Sequence, residues 1–117
     1  MTTVKYFDGR ETGNNGLYIQ PHDTIFINAY LDDIDKKKVL YHEMGHVGQC
    51  LESYDRLKEK QEIQANKYMV KNLLNDYLKE LDELGQFNMT RFMDYYRLHT
   101  TVDEAVILDE IRKLVGN

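Results

Sequence analysis

The sequence predicts an α+β fold, with a small N-terminal β-sheet packed on a pair of helices and a short C-terminal helical pair, in a single domain over residues 1–117. Three observations predict it. Short apolar runs bounded by turn residues fill roughly the first thirty positions, and from about Asp33 apolar residues recur at helical spacing instead. The chain is also long enough for one ordinary domain and too short for two. Its composition is that of a globular protein, 42% hydrophobic and 30% charged, with one proline (Pro21) and no low-complexity tract.

Val4-Lys5-Tyr6-Phe7 predicts a short strand closed by Asp8-Gly9, and Gly13-Asn14-Asn15-Gly16 predicts a turn. Leu17-Tyr18-Ile19-Gln20 and Thr24-Ile25-Phe26-Ile27-Asn28, separated by Pro21-His22-Asp23, predict a hairpin or two neighbouring strands. In the second run Ile25 and Ile27 share one face and Phe26 takes the other, so both faces should be partly covered. The next helix is capped by Asp32 or Asp33, and Leu40, Met44, Val47 and Leu51 form its core stripe. Ser53-Tyr54-Asp55 predicts a break, with Asp55 capping a second helix from near Arg56 to Leu84 that stops at Gly85. Ile63, Val70, Leu74, Tyr77 and Leu81 mark the apolar side of that helix. The tail predicts helices from about Thr90 to Leu98 and from Val102 to Val115, the last opened by a Thr101-Val102-Asp103-Glu104 capping box. Asp94, Asp103, Glu104, Asp109 and Glu110 make this pair acidic, so it is expected to complete a core rather than to read DNA.

His42-Glu43-Met44-Gly45-His46 carries the chemistry. The pattern H-E-x-x-H on a helix puts two imidazoles one turn apart on the same face, off the apolar stripe, where both can reach one Zn²⁺ with Glu43 beside them as general base. Sixteen positions after His46 stands Glu62-Ile63-Gln64-Ala65-Asn66, which has the form of a third-ligand segment. In an antiparallel helical hairpin, residues equidistant from the turn face each other, and His46 and Glu62 are equidistant from Tyr54. Metal ligands His42, His46 and Glu62 with catalytic Glu43 therefore make a hydrolytic zinc site. Asn66, one turn past Glu62, is expected behind it, its side-chain oxygen accepting the outer N–H of a ligand histidine. His22 and His99 are expected to be surface or structural, and Tyr18, Tyr30, Tyr41 and Tyr68 are candidates to line a groove without an assigned role.

A net charge of −5, with Lys36-Lys37-Lys38 as the only basic cluster, is unsuited to holding a phosphate backbone, so no direct nucleic-acid binding is expected. The single cysteine, Cys50, allows no intrachain disulfide and is expected to be a buried thiol. No apolar run approaches the ~20 residues of a membrane span, and Met1-Thr2-Thr3-Val4-Lys5 lacks the apolar core of a secretory signal. The expected compartment is the cytoplasm.

The chain resembles the ImmA/IrrE family of small zinc peptidases, common in phages and mobile elements. The resemblance rests on Asn15-Gly16-Leu17-Tyr18 leading into Ile25-Phe26-Ile27-Asn28, on Leu40-Tyr41-His42-Glu43-Met44-Gly45-His46, on Glu62-x-x-Ala65-Asn66-Lys67-Tyr68-Met69, and on the tail. The E-x-x-A-N segment is the most specific part, because H-E-x-x-H is shared by many zincins. Where members often carry a Leu-Met-Pro-like segment, this chain has Val70-Lys71-Asn72-Leu73-Leu74. The resemblance implies a zincin-like fold, ligands His42, His46 and Glu62 with Glu43 as general base, and cleavage of a partner helix-turn-helix repressor. Two other readings stay open: a catalytically inactive zincin-like binding module that sequesters a regulator, and a SprT-like protease, against which the acidic charge and the lack of a Cys-rich ribbon count.

Overall fold

β-Branched and aromatic residues concentrate in three strands, β1 (Thr3–Phe7), β2 (Gly16–Ile19) and β3 (Thr24–Asn28). The computed structural model describes residues 1–49 and 54–116, so the expectations for Cys50, Leu51 and Ser53 lie outside the described residues. β3 is the central strand. It pairs antiparallel with β2, placing Tyr18 opposite Ile25, and parallel with β1, placing Val4 opposite the same Ile25. The hairpin is the one the turn residues predict. The parallel pairing has no such signal, because its two strands are joined through a third and not by a local turn. As a central strand β3 is covered on both faces: Thr24, Ile25, Ile27 and Asn28 are buried and Phe26 half-buried.

Two polar side chains tie the sheet's ends. Asp23 sits in the left-handed region (φ 44°), which a short polar side chain tolerates. Its Oδ1 accepts hydrogen bonds from the Thr2 hydroxyl and the Tyr18 hydroxyl, both at 2.9 Å. At the other end Asn28 Oδ1 accepts from the Gly9 and Tyr30 backbone N–H groups, each at 3.1 Å, holding the β1–β2 connection to the end of β3. A Cβ on Gly9 would lie 2.6 Å from the Asn28 side chain and 2.8 Å from the Asn14 carbonyl oxygen, so only glycine fits there.

α1 (Asp33–Met44) begins at Asp32, whose side chain accepts from the Asp35 N–H at 2.8 Å, and it packs on β2 and β3. It is shorter than its periodicity predicts. After Met44 the chain tightens into i→i+3 hydrogen bonds, His46 N–H to Glu43 O, Val47 N–H to Met44 O and Gln49 N–H to His46 O, and Gly48 takes a positive φ of 86°. The expected core stripe fails at Val47, which this turn leaves exposed, while Leu40 and Met44 are only half-buried.

α2 (Tyr54–Lys79) has a kink at Leu57 (φ −111°, ψ 17°). Asp55 is not its cap but lies inside its first turn, and Ile63, expected on the apolar side, is 44% exposed. The buried face instead runs through Gln61, Ala65, Met69, Val70, Leu73 and Leu74. The helix also ends earlier than predicted. The Glu80 and Leu81 N–H groups already bond to i−3 carbonyls, and Gly85 lies in a short 3₁₀ turn (Leu84–Gln86) instead of capping the helix.

The chain divides into two compact units, Met1–Met69 and Val70–Asn117. In the second, Tyr77 packs edge-on against Phe87, Phe92 and Tyr96, and Phe92 is fully buried. α3 (Met89–Tyr95) and α4 (Thr101–Leu114) contact each other. The cap of α4 is Thr100 and not Thr101: its hydroxyl accepts from Asp103 N–H at 3.0 Å, one residue earlier than the predicted box. Arg97, in the left-handed region at φ 54°, follows α3 and separates it from Leu98, which is buried outside the helix. Three strands and four α-helices among the described residues make the α+β fold the sequence predicts, and no described helix is long and apolar enough to cross a membrane.

Candidate metal centre

His42 and Glu43 occupy the last turn of α1, and His46 follows in the tight turn beyond it. The intervening Gly45 keeps a right-handed conformation (φ −65°, ψ −20°), so His46 still stands one turn from His42, their ring centroids 5.1 Å apart. Gly45 has a second task. A Cβ there would fall 2.7 Å from Ala65 Cα and 2.9 Å from Ala65 O, closer than real atoms approach. The end of α1 and the middle of α2 are thus in backbone contact, and Ala65, completely buried, is the small residue that allows it on the other side. Glu62 lies one turn before Ala65 and is carried to the histidines by this approach.

His42 Nε2 lies 2.9 Å from Glu62 Oε2, and His46 Nε2 lies 3.3 Å from Glu62 Oε1. One ligand atom from each of the three residues falls within 4.8 Å of the others. Tetrahedral zinc with bonds of about 2.0–2.1 Å holds its ligand atoms about 3.4 Å apart, a separation that side-chain adjustment of the three donors can reach. Two imidazole nitrogens and one carboxylate oxygen are also the donor set that zinc accepts. The group His42, His46 and Glu62 could therefore hold a metal ion.

Two supporting residues escape the motif reading. Tyr54, treated in the sequence as the middle of a turn, is helical, and its hydroxyl donates to Glu62 Oε1 at 2.7 Å. Gln49 Oε1 lies 2.7 Å from His46 Nδ1, and Gln49 Nε2 donates to the Gln61 carbonyl at 3.1 Å. A helix predicted to run straight through residue 49 would have pointed that side chain elsewhere. Asn66 stands half-buried on α2, one turn past Glu62.

Burial opposes ionisation of Glu62, but the Tyr54 hydroxyl and both histidines outweigh it and hold the carboxyl below its ordinary pKa. The same hydrogen bond pushes the Tyr54 phenol up to about 12. Glu43 shifts the other way. Burial raises its pKa above the usual glutamate range, against the attraction of His42 and His46 and a hydrogen bond from the Tyr18 backbone N–H. The two carboxylates of the site are thus shifted in opposite directions.

Glu43, His46 and Glu62 line a cleft of about 500 Å³ together with Tyr54, Asp55 and the β2 residues Gly16, Leu17 and Tyr18. Glycine at 16 is required by packing, since a Cβ would overlap Val39 Cγ1 on α1. Of the candidate tyrosines, Tyr18 lines this cleft. Tyr30 is exposed beneath Arg10, whose Cζ lies 4.1 Å from its ring centre, Tyr68 is exposed and Tyr41 half-buried. His22 and His99 are exposed, and His22 does not line the cleft. The chain matches no protein-family model, no curated protein and no solved structure.

Proposed function

We propose that this chain is a zinc-dependent endopeptidase with a zincin-like fold, related to the ImmA/IrrE peptidases, acting in the cytoplasm on a helix-turn-helix repressor. One observation carries the reading: His42, His46 and Glu62 converge on one point while the Glu43 carboxylate, bearing no ligand role, opens into the same cleft. A structural zinc site would use all its protein donors to close the ion. Three donors beside a free carboxylate fit a site that leaves a position open for chemistry.

Zinc, when bound there, would polarise a scissile carbonyl and bring the pKa of a water towards about 7. Glu43 takes the proton of the attacking water on its carboxylate and passes it to the leaving amine. Burial shifts Glu43 towards the protonated form, the direction that a proton-returning group needs. Tyr54 holds Glu62 in place. β2 supports a peptide substrate: it is an edge strand, and its residues Gly16, Leu17 and Tyr18 form one wall of the cleft. An extended chain can lie along such an edge. The resemblance supplies the repressor as the substrate class.

The test compares wild type with Glu43→Gln on a partner helix-turn-helix repressor. Wild type should cut the repressor, and Glu43→Gln should retain zinc and lose cleavage by at least about 100-fold. Equal processing by both proteins would refute the role of Glu43. Zinc binding without processing by either would make the chain a binding module.

A further inference from the structure

We infer that Gln49 is a positioning residue, a lock that keeps the proton of the His46 imidazole on Nδ1 so that Nε2 is left open to a metal. The inference rests on the metal-binding reading of the site and extends it to a residue that the motif does not contain.

An imidazole can ligate through Nε2 only when that atom carries no proton, and the partner of the other nitrogen decides which tautomer prevails. His46 Nδ1 faces the side-chain amide of Gln49, whose oxygen and nitrogen look alike in shape. The surroundings of that amide remove the ambiguity. Its nitrogen lies 3.1 Å from the backbone carbonyl oxygen of Gln61, which can only accept, and 3.4 Å from Gln64 Oε1. The NH₂ group must therefore point at α2, and the amide oxygen must point at the ring, 2.7 Å away. An oxygen there accepts, so Nδ1 is the donor, and Nε2, 3.3 Å from Glu62 Oε1, is the nitrogen left for a metal to share with that carboxylate.

The lock also depends on burial. His46 is 6% exposed, so water cannot readily substitute for the lost partner. Because Gln49 belongs to the turn after α1 and its two acceptors belong to α2, the same amide ties the two segments that bring the ligands together.

The test uses the full chain with ¹⁵N-labelled histidine, stripped of metal at mildly alkaline pH, and reads the His46 tautomer from long-range ¹H–¹⁵N correlations. Zinc affinity is then measured on the same samples by competition with a chelating dye. Wild type should carry the proton on Nδ1. Gln49→Leu should shift His46 towards the Nε2–H form and weaken zinc by about 10–100-fold. Gln49→Glu keeps an acceptor but loses the donors to α2, so it should restore the tautomer. If Gln49→Leu does not fold by circular dichroism, Gln49→Met, of similar length and without the amide, is read in its place. A wild type that takes up no zinc would sink the metal reading and this inference with it. A wild type that binds zinc, with a Gln49→Leu variant unchanged in tautomer and affinity, would overturn the lock alone.

Discussion

The two units of the chain bury different chemistry. Among the described residues of Met1–Met69 the buried side chains are Thr24, Ile25, Ile27, Asn28, His46, Gln61, Ala65 and Met69, half of them polar. In Val70–Asn117 they are Val70, Leu73, Leu74, Phe92, Tyr96, Leu98, Asp103 and Ile107, with Asp103 the single charged member. Apolar contacts are non-directional and tolerate small displacements, whereas a buried polar group is stable only with its partner in place. The first unit therefore spends burial on defining positions, as in the Asn28 and Gln49 hydrogen bonds, and the second spends it on holding together.

The strongest way to break this contrast is Phe92→Ala. It removes a fully buried ring that packs on Tyr77, Phe87 and Tyr96, and urea denaturation should show a loss of about 3–5 kcal/mol. Gly45→Ala should cost less stability, about 1–3 kcal/mol, because its methyl meets the Ala65 backbone. Its zinc affinity should nevertheless fall about tenfold or more, since Glu62 is pushed away from His46, and a titration with zinc would read that split. Equal zinc affinity in Gly45→Ala and wild type would show that the close approach does not set the site.

Asp23 sharpens the comparison through pH. Its carboxyl is held below the usual aspartate value by the Thr2 hydroxyl, then by the Tyr18 hydroxyl. A depressed folded-state pKa means the contribution is complete above the unfolded value of about 3.9 and is lost as pH falls through the folded one. Acid unfolding should therefore set in at lower pH for Asp23→Asn relative to its own neutral stability, a small effect because the group is solvated. The smallest change is expected from Ile63→Lys. Despite its apolar identity the position is 44% exposed, and stability should move by no more than about 0.5 kcal/mol.

Much of the fold is legible in local residue patterns. The run Thr24-Ile25-Phe26-Ile27-Asn28 coincides with β3, and the cap at Asp32 is where short acidic side chains before a helix place it. Errors gather where a periodic pattern outlasts the helix. Val47 continues the spacing of Leu40 and Met44, yet the chain leaves the α-helix after Met44 and the tight turn there leaves Val47 exposed. Ile63 fails for another reason. Ala65 takes the buried place because the backbones must touch there, and no hydropathy scale ranks alanine above isoleucine.

At the candidate metal centre the sequence by itself determined which residues could serve, because His42, Glu43 and His46 are brought together by local geometry alone: one helical turn suffices. It also matched Glu62 with His46 by counting from Tyr54 as a turn centre; the two side chains do meet, although Tyr54 is helical. Only the tertiary structure decided how these groups are held: the glycine-to-alanine contact between α1 and α2, the Tyr54 hydroxyl on Glu62, the Gln49 amide on His46 and the burial of Glu43 against β2. The Gly45–Ala65 approach, the tie from Gln49 to the Gln61 carbonyl and the packing of Glu43 on β2 join segments distant along the chain. Their strength depends on separations of a few tenths of an ångström, which residue order does not encode until the backbone is packed.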